Sequence, residues 1–130
     1  MTHLQAVFYR APDGAQPVDE FIESLPVKVQ VVLDDQIDRL NDLTDAVPHL
    51  PFPNSSQVDG SLRELRCHYG RALYRVLYCR SANLSVLLHA FRKNTRAVPA
   101  ADIRIALERR ADFQAGDAPT AGSRHSRCAS

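Results

Sequence analysis

No stretch of this sequence stays apolar long enough to cross a bilayer, which excludes a membrane-spanning helix. Its start, Met1-Thr2-His3-Leu4-Gln5, lacks the charged and then apolar segments of a signal peptide, so the cytoplasm is the expected compartment. Cysteine is scarce: Cys67, Cys79 and Cys128 make an odd count with no C-x-x-C spacing, which excludes a disulfide framework. Cys67 and Cys79 fall in predicted strands and read as buried, reduced packing residues. Paired ligands at zinc-site spacing are missing, and neither a metal nor a cofactor is expected. There is no G-x-S-x-G, P-loop, H-E-x-x-H or dinucleotide-binding glycine pattern, so no nucleophile or nucleotide motif assigns an activity. Between residues 61 and 115 there is a single glycine, Gly70, and between 61 and 98 a single acidic residue, Glu64.

That last scarcity has a counterpart. Residues 61–98 hold eight basic side chains against Glu64, a balance of +7, whereas residues 11–60 hold ten acidic ones against Lys28 and Arg39, a balance of −8. The formal net charge of +1 hides this polarity. A basic functional face with an acidic back is expected, a dipolar molecule that an anion approaches from one side. At 130 residues, 45% of them apolar, the chain suits one domain with a modest core.

In order along the chain, Ala6–Arg10 reads as a short strand closed by the turn Ala11-Pro12-Asp13-Gly14. Pro17 opens a helix to about Ser24, with Val18, Phe21, Ile22 and Leu25 on one face. A longer helix runs from Pro26 to about Leu43. Its apolar stripe is Val29, Val32, Leu33, Ile37 and Leu40, and Asp34, Asp35, Asp38 and Asp42 form its solvated side. Residues 46–61, with three prolines in six positions, read as an extended surface connection delivered by Asp59-Gly60 into a β-hairpin. The hairpin spans Leu62–Arg80 around Gly70, and six of its nineteen residues are arginine or histidine. Leu84–Phe91 follows as a buried central strand, and Arg92-Lys93-Asn94-Thr95-Arg96 as a basic loop. Pro99 opens a last helix that ends near Phe113. From Ala115 the composition loses pattern, and residues 115–130 are predicted to be a disordered tail. The order β-α-α-β-β-β-α implies an α+β fold: an antiparallel meander backed by helices on one face, its other face open and carrying Arg66 and Arg75.

Side-chain alternation puts Glu64, Arg66 and His68 on one strand face, and Arg71, Leu73, Arg75, Leu77 and Cys79 on one face of the next. His89, Phe91 and Lys93 share a face of the third strand, so Arg66, Arg75 and Lys93 are expected to converge at one end of the sheet. Fixed cations with nearby histidines and tyrosines suit a nucleic-acid phosphate. Three cations stabilise the charge that builds up when a 2′-hydroxyl attacks phosphorus, and His89, His68 or a tyrosine can move the protons. His89, flanked by Leu88, Ala90 and Phe91, equally suits a satisfied core histidine. Tyr74 and Tyr78 share a face and suit packing.

Gly60-Ser61-Leu62-Arg63-Glu64-Leu65-Arg66, Leu73-Tyr74-Arg75-Val76-Leu77-Tyr78, and Leu87-Leu88-His89-Ala90-Phe91-Arg92-Lys93-Asn94-Thr95 with Pro99 form a set in fixed order. With Pro17–Pro26 upstream, this set closely resembles the HigB-like branch of the RelE toxin superfamily over about residues 6–113. The resemblance implies a RelE-like fold over residues 1–114 and the toxin of a type II toxin–antitoxin system. The implied activity is ribosome-dependent, metal-independent cleavage of translated mRNA. The implied partners are the ribosome, mRNA and a cognate antitoxin with a helix-turn-helix DNA-binding domain, with no membrane. Matched residue by residue, Arg66, Arg75, His89 and Lys93 are the catalytic candidates, and His68, Tyr69, Arg71, Arg92 and Arg96 the RNA-binding ones. Family members usually carry lysines just before the hairpin, where this chain has Ser55-Ser56-Gln57. A relative without catalysis, binding antitoxin, RNA or gyrase, is the alternative.

Overall fold

The computed structural model describes residues 2–94 and 96–116; Thr95, Cys128 and nearly all of the expected tail lie outside the described residues. Eight elements follow one another: β1 (Gln5–Phe8), α1 (Pro17–Glu23), α2 (Val27–Leu40), β2 (Ser55–Asp59), β3 (Leu62–Tyr69), β4 (Ala72–Ser81), β5 (Leu84–Arg92) and α3 (Ala100–Ala115). The architecture is the mixed α+β one expected, consistent with a RelE-like fold: a five-stranded sheet in the order β1-β5-β4-β3-β2 with three helices. β1 runs parallel to β5 at one edge, and the other neighbours are antiparallel.

One strand was not foreseen. β2 lies inside the proline-rich connection, paired to β3 from Ser55↔Leu65 to Asp59↔Leu62. Its sequence, Ser-Ser-Gln-Val-Asp, has little β-branched or aromatic content, which hid it. The signal was Asp59-Gly60: a two-residue loop, Gly60-Ser61, joins β2 to β3, with Gly60 at φ +57°. Positive φ at the first central position alone is the type II′ pattern, in which glycine carries no steric penalty. Gly70, at φ +59°, closes the β3–β4 hairpin in the same way.

The sheet is covered on both faces, which corrects the expectation of one open face. On one side Val18 and Ile22 of α1 and Val29, Leu33, Ile37 and Leu40 of α2 pack on Phe8, Leu65, Cys67, Val76 and Leu87. On the other, Ala106 of α3, flanked by Ile103 and Leu107, packs on Val7, Leu62, Leu77, Val86 and Leu88. A register shift in β5 opposite Leu77 and Tyr78 leaves Leu88 as an extra residue. That bulge lets Leu88 join the α3-side core while His89 also meets α3. Cys67 and Cys79 are buried and unbridged as expected, and burial pushes the Cys67 thiol up to about 12. Among the described residues no helix is long and apolar enough to cross a membrane.

Candidate functional site

α3 covers only part of its face. Beyond its first turn an open cleft of about 320 Å³ remains, lined by Ser56, Gln57 and Val58 of β2, Glu64 and Arg66 of β3, and Arg96, Ala97, Val98 and Ile103 at the approach to α3. Strand alternation aims Glu64 and Arg66 into it, as the sequence predicts, and the register sets Arg66 directly opposite Arg75 of β4.

Glu64 is the centre of this cleft. It is 2% exposed, and its Oε1 accepts from Arg66 Nε at 2.9 Å and from the Ser56 hydroxyl at 3.1 Å. Its Oε2 lies 3.5 Å from Arg75 Nε. A buried carboxylate is tolerated because two guanidinium groups flank it. Arg75, on the expected face, is only 1% exposed, and its second nitrogen donates to the Arg96 carbonyl at 3.1 Å. Thus Arg75 lies beneath the cleft, tying the Glu64 carboxylate to the loop that carries Arg96, while the Arg66 side chain is 21% exposed at the surface.

The other expected residues separate. Lys93 is exposed beyond β5, its backbone N–H donating to the Leu73 carbonyl, and it does not line the cleft. Arg96 occupies the position expected of it instead. His89 Nε2 lies 2.7 Å from Asp102 Oδ1, and its Nδ1 3.4 Å from Arg109, which also donates to the Leu88 carbonyl at 2.9 Å. Its ring stacks on Phe91 with centroids 5.4 Å apart. These contacts fasten the histidine to α3, the geometry that the core-histidine alternative describes. Burial lowers its pKa, against the opposing pull of Asp102. Tyr9 donates to Asp112 at 2.6 Å near the other end of α3, and burial together with that carboxylate pushes its phenol up to about 12.

Of the RNA-binding candidates, His68, Tyr69 and Arg71 sit exposed around the β3–β4 turn. Arg92 lies over the Tyr74 ring at 5.7 Å, on the face of α1 and α2. Arg63 donates to Ser55 and Arg80 to the Ala82 carbonyl. The eight basic residues of 61–98 thus divide between both faces and the turns, a correction to the single basic face; Arg66 and Arg96 are the two at the cleft. Glu64 and Ser56 are the cleft residues sequence reasoning passed over. Glu64 was legible as the one carboxylate among the eight cations of residues 61–98, Ser56 only once Asp59-Gly60 is read as the start of a hairpin turn.

Comparison with curated proteins finds no match. A family model described as phage-derived protein, Gp49-like, matches residues 20–111, from within α1 through the first three turns of α3 and including every residue of the cleft. By that match, over well more than half of its length, the chain belongs to the Gp49-like family of phage-derived proteins.

Proposed function

We propose that the protein is a HigB-like toxin of a type II toxin–antitoxin system, an endoribonuclease that cuts mRNA on the ribosome. The observation that carries this reading is the cleft in which a buried carboxylate stands between two arginines, open to solvent at Arg66 and Arg96. Arg66 presents guanidinium donors to a phosphate, and Arg96 adds a second cation at the rim. In this scheme Glu64 takes the proton of the 2′-hydroxyl as that oxygen attacks phosphorus. The 5′-oxygen leaves as a hydroxyl on taking a proton from solvent water, and a 2′,3′-cyclic phosphate remains. Arg66 offsets the charge gathered on the phosphoryl oxygens. Arg75 works from below by holding the carboxylate and the Arg96 loop in place. The ribosome would supply much of the substrate's orientation, which suits an open cleft. An antitoxin with a helix-turn-helix domain is the proposed partner, and the cytoplasm the proposed compartment.

A second reading, a binding module acting on antitoxin, RNA or gyrase, is favoured by one observation: Arg75 and His89, two of the four expected catalytic residues, are engaged inside the fold. Primer extension after induction in a bacterium separates the two. The nuclease reading expects discrete cuts within translated codons, lost in Arg66→Ala. Intact transcripts with DNA-damage signalling would replace it by the gyrase reading.

A further inference from the structure

Arg66 borders two clefts. On its far side a second opening of about 320 Å³ lies between α2 and the edge of β3, lined by Val32, Asp35, Gln36, Asn54, Arg66 and His68. Above Arg66 sits Phe52, whose ring centroid is 5.6 Å from the guanidinium carbon. Phe52 is 73% exposed, an unusual position for a large apolar ring. It stands in the proline-rich run Pro48–Pro53, where locked φ angles hold the backbone stiff. Below it, Gln36 fixes the local frame by donating to the Arg66 carbonyl at 2.8 Å and reaching Asn54 Oδ1 at 3.5 Å. The Asn54 carbonyl in turn accepts from the Arg66 N–H at 2.9 Å.

We infer that Phe52 is a stacking platform for a nucleobase of the bound RNA, set next to the phosphate that Arg66 holds; this rests on the ribonuclease reading above. An exposed aromatic ring offers a π-face to any base, and stacking is the usual way single-stranded RNA is gripped without base-specific contacts. Arg66 joins the two clefts: its guanidinium meets the phosphate on the Glu64 side and lies against Phe52 on the other. Asp35, Asn54 and His68 offer acceptors and donors to the base's edge, the pairing chemistry that suits an exocyclic amino group. The platform gives the toxin a preference among codons that phosphate contacts alone do not provide. Because stacking strength grows with ring area, purines at the stacked position are favoured.

The test is in vitro cleavage of mRNA on translating ribosomes by wild type, Phe52→Leu and Phe52→Trp, with rates read codon by codon. Phe52→Leu keeps an apolar side chain but loses the π-face. It is expected to slow cuts at purine-containing sites about ten-fold and pyrimidine sites much less, with Phe52→Trp restoring the wild-type pattern. Thermal melting of all three is expected to coincide because the side chain is exposed. Equal rates for wild type and Phe52→Leu, or a uniform slowing at every site, would overturn the platform while leaving the nuclease in place; uniform slowing would make Phe52 a buttress for Arg66. No cleavage by wild type would overturn both.

Discussion

Two arginines face each other across β3 and β4, and their surroundings give them opposite tasks. Arg66 is partly exposed, bound to Glu64 on one side and overlaid by Phe52 on the other. Arg66→Ala is therefore expected to lower cleavage about 10²–10³-fold while moving the denaturation midpoint little. Arg75 is buried against Glu64 and the Arg96 carbonyl. Arg75→Ala leaves the carboxylate without its inner partner and should cost about 3–5 kcal/mol, read by urea denaturation, so that its activity loss follows unfolding. His89 gives a pH prediction with a definite sign. Burial depresses its pKa below the ordinary 6.5, so the unfolded chain binds the proton more readily. The stability His89 contributes is complete above pH 6.5 and is lost as pH falls from there toward the depressed value. Melting temperatures between pH 5 and 7.5 should fall on the acid side, and His89→Gln should make the fall shallower. His49 is shifted in the same direction by burial and Arg63, so some slope should persist in that variant.

At the scale of elements, much of the fold was legible. Helical spacing placed α1, α2 and α3, with Val29, Leu33, Ile37 and Leu40 buried as their stripe predicts. Alternation set the faces of β3 and β4 correctly. Two things were not legible, for separate physical reasons. β2 is polar and pairs with only one neighbour, so its evidence lay in the Asp59-Gly60 turn pair at its end and not in a β-forming composition. The face chosen by α3 depends on contacts distant in sequence, Tyr9 with Asp112 and His89 with Asp102, which no local pattern announces. The same blindness explains Lys93: alternation puts it on the right face, but only the turn of the chain after β5 decides that Arg96 reaches the cleft. The β4–β5 turn holds Ala82 at φ +52°, a left-handed conformation that costs an L-residue about 1–2 kcal/mol. Ala82→Gly should accordingly raise stability by up to about 1 kcal/mol by thermal or chemical melting, with activity unchanged.

For the whole molecule, the eight basic residues of the segment 61–98 do not gather on a single face. Folding disperses the arginines among a buried ion pair, an aromatic contact and several turns, and brings Arg66 and Arg96 to one open cleft. What remains of the polarity is local, with Arg66 and Arg96 at the rim and the Glu64 carboxylate beneath. In the proposed reaction this carboxylate and Arg66 act together to cut RNA. The most direct measurement is single-turnover cleavage of an mRNA held on purified translating ribosomes, comparing wild type, Arg66→Ala and Glu64→Gln, each confirmed folded by circular dichroism. Discrete cuts ending in a cyclic phosphate are expected for wild type, and rates at least about 10²-fold lower for both variants. Wild-type protein that leaves the mRNA whole, or folded variants that cut it at the wild-type rate, would contradict it.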